Sequence, residues 1–221
     1  MAGRGALVGA QARVSVPPAP PLLLASTSPQ RTAILHQLRI PHDVVAPDYE
    51  EHDPPGADPV ELVRTHARGK ARSVADAADD RPVLAVDTAV VLGSRVLGKP
   101  RNAEDAFEML DALSGETHVV VSGLCLRTVA WEVVEHAATR VTFRPLTPRE
   151  IGLYLASGEW QGRAGGYAIQ GLGAGLVDEI EGDYLNVVGL PGALLVRLLA
   201  DRFPGVYGFG SDDFPRADAR S

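Results

Sequence analysis

Apolar residues recur along this chain in two rhythms, and the alternation between them predicts its elements. Leu22-Leu23-Leu24-Ala25 is a short unbroken apolar run, the pattern of an inner strand. A helix is expected directly after it, with Ser28 as cap, Pro29 in the first turn, and Ile34, Leu35 and Leu38 on one apolar face. Asp43 to Pro47 predicts a second strand leading into an acidic, proline-rich loop, Asp48 to Asp58. Asp58-Pro59-Val60-Glu61 then supplies an acidic cap, a proline at the first helical position and a Glu at the third, predicting a helix to about Ala77. Gly69 inside that helix costs it about 1 kcal/mol relative to alanine.

Val83 to Leu92 is almost wholly apolar, as a strand covered on both faces would be, and only Asp87 and Thr88 interrupt it. Asn102 predicts another helix cap, with Glu104 and Asp105 in the positive first turn, Ala106, Met109, Leu110 and Leu113 at core spacing, and Gly115 as the stop. His118 to Thr128 and Trp131 to Phe143 predict two long strands in an antiparallel hairpin. Thr147-Pro148-Arg149-Glu150 is a capping box for a helix that Gly158 ends. Gly175 to Ile180 and Tyr184 to Val188 suggest a further pair of strands, and Pro191 to about Arg202 a last helix. Hairpin neighbours together with strand–helix–strand crossovers make this an α/β (α+β) chain with a mixed sheet.

Composition narrows the function. Of 221 residues, 21 are Lys or Arg and 28 Asp or Glu, a net charge of −7. That acidic balance argues against nucleic-acid binding, which calls for a basic domain or stripe, but leaves a nucleotide substrate open. No stretch approaches the roughly 18 to 20 consecutive apolar residues that cross a bilayer, so no membrane partner is expected. Cys125 is the only cysteine; between Leu124 and Leu126 it is expected as a small buried hydrophobe in a reducing compartment. Residues 1–20 are expected to be a disordered extension and 204–221 a flexible tail, with the folded part between them over 21–203.

Asp87 is the most informative residue, because an isolated carboxylate in an apolar strand must be compensated. It lies at a strand end, is satisfied by backbone N–H groups, or is used as a metal ligand or general base. Gly93 to Pro100 nearly spells the phosphate-binding loop G-x-x-x-x-G-K-[ST], but Pro100 has no hydroxyl and disfavours helix at Lys99. Lys99 can still hold a phosphate as a point charge. Gly171-Leu172-Gly173-Ala174-Gly175-Leu176 lacks the third glycine of a dinucleotide fingerprint and is set aside. Leu24 to Arg31 brings hydroxyls, a helix N-terminus and an Arg to one place, where anions bind readily. The histidines show no zinc-ligand spacing, and no G-x-S-x-G elbow is present. An Mg²⁺-dependent enzyme acting on phosphate esters or anhydrides fits these residues.

Taken in order, the motifs resemble the Maf family of nucleoside triphosphate pyrophosphatases over about Leu22 to Leu199. The resemblance is carried by Leu24-Ala25-Ser26-Thr27-Ser28-Pro29-Gln30-Arg31, Asp48-Tyr49-Glu50-Glu51, Lys70-Ala71, Val86-Asp87-Thr88, Gly98-Lys99-Pro100, and Leu113-Ser114-Gly115 with His118. Ala164-Gly165-Gly166-Tyr167-Ala168-Ile169-Gln170-Gly171, Gly182-Asp183-Tyr184 and Val188-Gly189-Leu190-Pro191 complete it. It implies two lobes around a long mixed β-sheet with flanking helices, akin to the inosine triphosphate pyrophosphatases, with the nucleotide in the central cleft between the lobes, and a cytoplasmic homodimer. It also implies hydrolysis of a nucleoside triphosphate to the monophosphate and pyrophosphate by attack of water at the α-phosphorus.

By the same resemblance Asp87 is the proton acceptor, and Glu51 and Asp87 hold a divalent metal, Mg²⁺ or else Mn²⁺. Ser26, Arg31, Lys70 and Lys99 bind the triphosphate, while Gln30, Thr88 and Gln170 select the base. Thr88 and Gln170 match the branch that prefers dTTP and UTP. Gln30 departs from it, standing where that branch carries a first arginine. The implied role is house-cleaning of noncanonical or surplus nucleotides, with a link to cell-division arrest. The alternative is a nucleotide-binding regulator of septum formation with little turnover.

Overall fold

The computed structural model describes residues 19–54 and 56–210. Strands β1 (Leu22–Ala25), β2 (His42–Val45), β3 (Val83–Leu92), β4 (Arg95–Leu97), β5 (Thr117–Arg127), β6 (Glu132–Phe143) and β7 (Val177–Glu181) form one seven-stranded sheet. Its order is β2-β1-β3-β5-β6-β7, with β4 beside β3. β1 is parallel to β2 and β3, and the remaining pairs are antiparallel, so the sheet is mixed as expected. Six helices cover it: α1 (Pro29–Gln37), α2 (Pro59–Ser73), α3 (Ala103–Leu113), α4 (Pro148–Ala156), α5 (Tyr184–Val188) and α6 (Gly192–Arg202).

The β3–β5–β6 hairpins form the frame. Alternate side chains of β3 and β5 point to opposite faces. On one face Ala85 and Cys125 pack beneath α2 with Ala67 and Ala71. On the other, two separate cores sit at opposite ends of the sheet. Leu84, Val86, Leu124 and Leu126 pack with α1 and α6 in one; Val90, Val120, Val141 and Phe143 pack with α3 and α4 in the other. These are the two lobes, and a cleft separates them.

Predicted caps fix three of the six helix starts. Asp58 accepts from the backbone of Val60 and Glu61 at 3.0 Å, Asn102 accepts from Asp105 at 2.8 Å, and the Thr147–Glu150 capping box is complete. Gly158, at φ 75°, ends α4 as expected. Ser28 differs, because its hydroxyl donates to Gln30 Oε1 at 3.1 Å instead of capping α1. α2 stops at Ser73, and a 3₁₀ turn over Ala75–Ala77 completes the span expected to be helical.

Two other expectations are corrected. Tyr184 to Val188 is the helix α5 rather than a strand, since the Asp183 carboxylate accepts from Leu185 N at 2.9 Å and Gly189, at φ 130°, closes the turn. Gly171–Leu176 is a 3₁₀ segment, so the strand expected from Gly175 begins at Val177. The Gly93-Ser94 pair closes a hairpin between β3 and β4, a strand the sequence pattern did not predict, in keeping with the rejected phosphate-loop match. Of the expected C-terminal tail, Pro204–Gly210 is anchored by two side chains: Tyr207 belongs to the α1/α6 core and donates to the Pro20 carbonyl at 2.9 Å, and Phe209 packs against the same core. Residues 1–18 and 211–221 of the two expected tails lie outside the described residues.

Candidate active site

The cleft exists because β3 outruns its neighbours. On one edge β5 accompanies it from Val83 to Val91. On the other edge β1 pairs only at Val83 and Leu84, and β4 only from Val90. Residues 85–89 therefore have no strand beside them on that second edge, and at this gap a cleft of about 650 Å³ opens. Neighbouring strand residues face opposite ways, yet Asp87 and Thr88 both line it, because the gap gives access to both faces.

On the α2 face, Asp87 Oδ1 lies 2.6 Å from Lys70 Nζ, and Glu51 Oε1 lies 2.5 Å from the same ammonium. Lys70 and Asp87 side chains are only 10% and 13% exposed, and Glu51 is 46% exposed. The compensation that Asp87 required is thus a lysine from the neighbouring helix. Burial alone would raise the Glu51 carboxyl, but the Lys70 hydrogen bond and charge outweigh it and hold Glu51 below the usual carboxylate range.

α2 reaches this close because Gly123, the cross-strand partner of Asp87, has no side chain. A Cβ there would lie 2.2 Å from the Val63 carbonyl oxygen on the helix.

On the opposite face Arg31 is the organiser. Its guanidinium donates to the Gly189 carbonyl at 2.9 Å, to Ser26 Oγ at 3.0 Å and to Thr88 Oγ1 at 3.4 Å. Burial pulls the Arg31 pKa down, and the charges of Asp87 and Glu51 work against that shift. Thr88 Oγ1 also pairs with Ser122 Oγ at 2.9 Å. The first backbone N–H groups of α1 stay uncapped by Ser28 and face the same cleft, a favourable place for an anion. Lys99, exposed after β4, and Gln30 and Gln170 complete the lining. All nine side chains singled out from the sequence thus meet in one cleft.

Four cleft residues were missed: Tyr49, Asp53, His66 and Arg163. Arg163 sits beside the glycine-rich turn Ala164–Gly166, which Gly165 N–H ties to the Gly98 carbonyl at 3.0 Å, next to Lys99. Its Nε is buried without a hydrogen-bond partner, and among the described residues neither Arg163 nor Lys99 makes an ion pair. The one available signal for Arg163 was its position just before Ala164-Gly165-Gly166, glycines that need φ near 70°. Cys125 is fully buried, its thiol pushed up to about 12 by burial, as expected of an inert core residue.

A sheet interrupted at one strand edge, with a carboxylate pair and the cations Arg31, Lys99 and Arg163 lining the same cleft, defines an α/β protein with a site suited to a polyanion beside a carboxylate pair. The family model described as Maf-like protein matches residues 21–202. The chain belongs to the Maf family.

It is 48% identical over 185 residues to a protein of Anaeromyxobacter dehalogenans (82% of this chain, 93% of that one). It is 46% identical over 181 residues to one of Gloeobacter violaceus (81% and 95%), and 43% identical over 192 residues to one of Deinococcus radiodurans (87% and 97%). All three are named dTTP/UTP pyrophosphatase. The structure of the Staphylococcus aureus Ham1 protein overlaps 56% of this chain and 72% of its own at a TM-score of 0.40 and 14% identity. No helix among the described residues is long and apolar enough to cross a membrane.

Proposed function

We propose that this chain is a nucleoside triphosphate pyrophosphatase that releases pyrophosphate from dTTP, UTP or related nucleotides, in a cytoplasmic homodimer. The observation that carries the reading is the convergence of Glu51 and Asp87 on one cationic point at the β3 gap, in a cleft that Arg31, Lys99 and Arg163 also line. The names of the relatives support the reaction and the pyrimidine preference.

The donor set suits a divalent ion. Glu51 and Asp87 each already place one oxygen on the Lys70 ammonium, so the two carboxylates converge on a positive charge. No group of three or more His, Cys, Asp or Glu suited to a metal occurs among the described residues. A two-carboxylate site completed by phosphate oxygens and water is the arrangement Mg²⁺ favours, and Mn²⁺ accepts the same donors. When bound, the ion would supply charge neutralisation on the phosphate oxygens.

The chain's own residues do the rest. Asp87 accepts the proton of the attacking water. It is bound to Lys70 here, and transfer of the ammonium toward the phosphates frees its oxygen. Arg31, Lys99 and Arg163 hold the triphosphate, with the uncapped α1 N-terminus as a further anion site, a preorganised cradle of the kind that lowers phosphoryl-transfer barriers. Because Ser26 Oγ accepts from Arg31, it aims the guanidinium as well as lining the site. Thr88, Gln170 and Gln30 face the base; at Gln30 a neutral amide offers both a donor and an acceptor.

The test is hydrolysis of dTTP, UTP and CTP with Mg²⁺ in ¹⁸O-labelled water. Monophosphate carrying the label, with unlabelled pyrophosphate, is the expected result, and Asp87→Asn abolishes it. Diphosphate with orthophosphate, label in the pyrophosphate, or full activity in Asp87→Asn would overturn the assignment. Light scattering of the full chain checks the homodimer.

A further inference from the structure

Gly69 disfavours the helix it sits in, and nothing in the proposed chemistry uses it. The structure shows what occupies the space. A Cβ at Gly69 would lie 2.1 Å from Tyr49 Cε2 and 2.4 Å from Cζ, so the Tyr49 ring lies against α2 where the helix has no side chain. Gly69 is not among the residues with positive φ, so the notch rather than backbone freedom is its use. The Tyr49 hydroxyl is 3.0 Å from His66 Nδ1, and His66 Nε2 is 2.8 Å from Asp53 Oδ1. The Asp53 carboxylate can only accept, so Nε2 carries the hydrogen of that bond, and Nδ1 is left to pair with the Tyr49 hydroxyl. His66 is 2% exposed and precedes Lys70 by four residues, on the same face of α2.

Tyr49 and Asp53 stand two residues either side of Glu51, in a loop between β2 and α2 without regular structure. Among the described residues, no backbone–backbone hydrogen bond involves 48–53. Glu51 itself is half-exposed on Lys70, and exposed ion pairs hold a loop weakly. The side chains of Tyr49 and Asp53, gripped by one buried imidazole, are what hold this stretch against the helix.

We propose that His66 is a positioning residue which, with Tyr49, Asp53 and the notch at Gly69, clasps the acidic loop to α2 and thereby sets Glu51 opposite Asp87 to receive the divalent ion. The inference rests on the metal-assisted reading above and adds how this chain builds half of that site. Glu51 is then placed by its loop neighbours and by the helix that carries Lys70, so both partners of the ion pair are registered on α2.

The test uses the full chain with His66→Leu and with Gly69→Ala, each alone and combined with Glu51→Gln. Mn²⁺ binding is followed by electron paramagnetic resonance in the presence of the α,β-imido analogue of dUTP. Loop order is followed by the rate of cleavage after Glu50 and Glu51 by a glutamate-specific protease. Both single variants are expected to weaken Mn²⁺ binding by about tenfold or more, the usual cost of losing support behind a ligand. Both are expected to speed cleavage and to raise the half-saturating Mg²⁺ concentration, with kcat recovering at saturating metal. In the Glu51→Gln background neither should weaken Mn²⁺ binding further.

Wild-type affinity and wild-type cleavage rate in Gly69→Ala, or losses that multiply with Glu51→Gln, would overturn the proposal. Gly69→Ala decides the matter if His66→Leu fails to fold. Absence of turnover in the wild type would refute the pyrophosphatase reading alone, because protease sensitivity reports the clasp without catalysis.

Discussion

Gly123→Ala tests whether close approach of α2 to the sheet is what assembles the site. Gly123 pairs across the strands with Asp87, and α2 lies over both. An added methyl would sit 2.2 Å from Val63 O, 2.4 Å from Val63 C and 2.7 Å from Arg64 N, all backbone atoms of the helix. An ordinary contact begins near 3.4 Å, so strand and helix must separate by about 1.2 Å. Overpacking of this kind costs about 1–3 kcal/mol. The catalytic effect should be larger, because Lys70 lies two turns further along the same helix, and a displaced helix shifts the ammonium from its place 2.6 Å from Asp87 and from the phosphates it must reach. A misplacement of about 1 Å can cost on the order of a hundredfold in rate.

The assay is kcat/KM for the preferred triphosphate at saturating Mg²⁺, with denaturant unfolding of the same preparation. The expected result is a fall of roughly a hundredfold in a protein that still folds. Wild-type turnover with unchanged stability would refute the argument that helix–strand distance sets the carboxylate–lysine geometry.

Gly152→Ala is the contrasting substitution. Gly152 lies inside α4, has ordinary φ, and a Cβ there meets nothing within 4 Å, so stability should rise by about 0.4–1 kcal/mol, read by urea denaturation. The fully buried His118, which pairs through Nε2 with the Tyr167 hydroxyl at 2.8 Å, is lowered by burial from 6.5 to about 4. Between those values the unfolded chain binds a proton that the folded chain refuses. Its contribution is therefore full above pH 6.5 and falls by up to about 3 kcal/mol as the pH drops toward 4. His118→Phe should flatten the slope of unfolding free energy over that window, whatever its effect on the level, and an unchanged slope would refute the assignment. Arg163→Ala should raise the KM for the triphosphate about tenfold to a hundredfold, the worth of charged hydrogen bonds, with Arg163→Lys restoring part of it. An unchanged KM would remove Arg163 from the phosphate wall.

The elements that local sequence determines came out of the sequence itself. Caps at Asp58, Asn102 and Thr147, the stop at Gly158, and the long apolar runs of β3, β5 and β6 each act over a few residues, where periodicity and hydrogen-bonding side chains decide the backbone. α5 escaped because Tyr184 to Val188 is only five residues long and rich in residues that suit strands, so its Asp183 cap decided the outcome. β4 escaped because three residues carry too little pattern. The nine candidate site residues could be named from motifs, but their meeting could not be derived from any of them.

That meeting depends on where β1 and β4 stop along the edge of β3, and the β1 end is set by pairing between segments far apart in sequence, Leu23 with Val83 and Leu24 with Leu84. Asp87 was visible as an uncompensated charge, whereas Lys70 as its compensation, Gly123 as the reason α2 can reach it, and the His66 grip on Tyr49 and Asp53 appear only when helix and sheet are packed. A side chain's neighbours across a core are set by volume and distance in three dimensions, and a single chain of residue types does not record them.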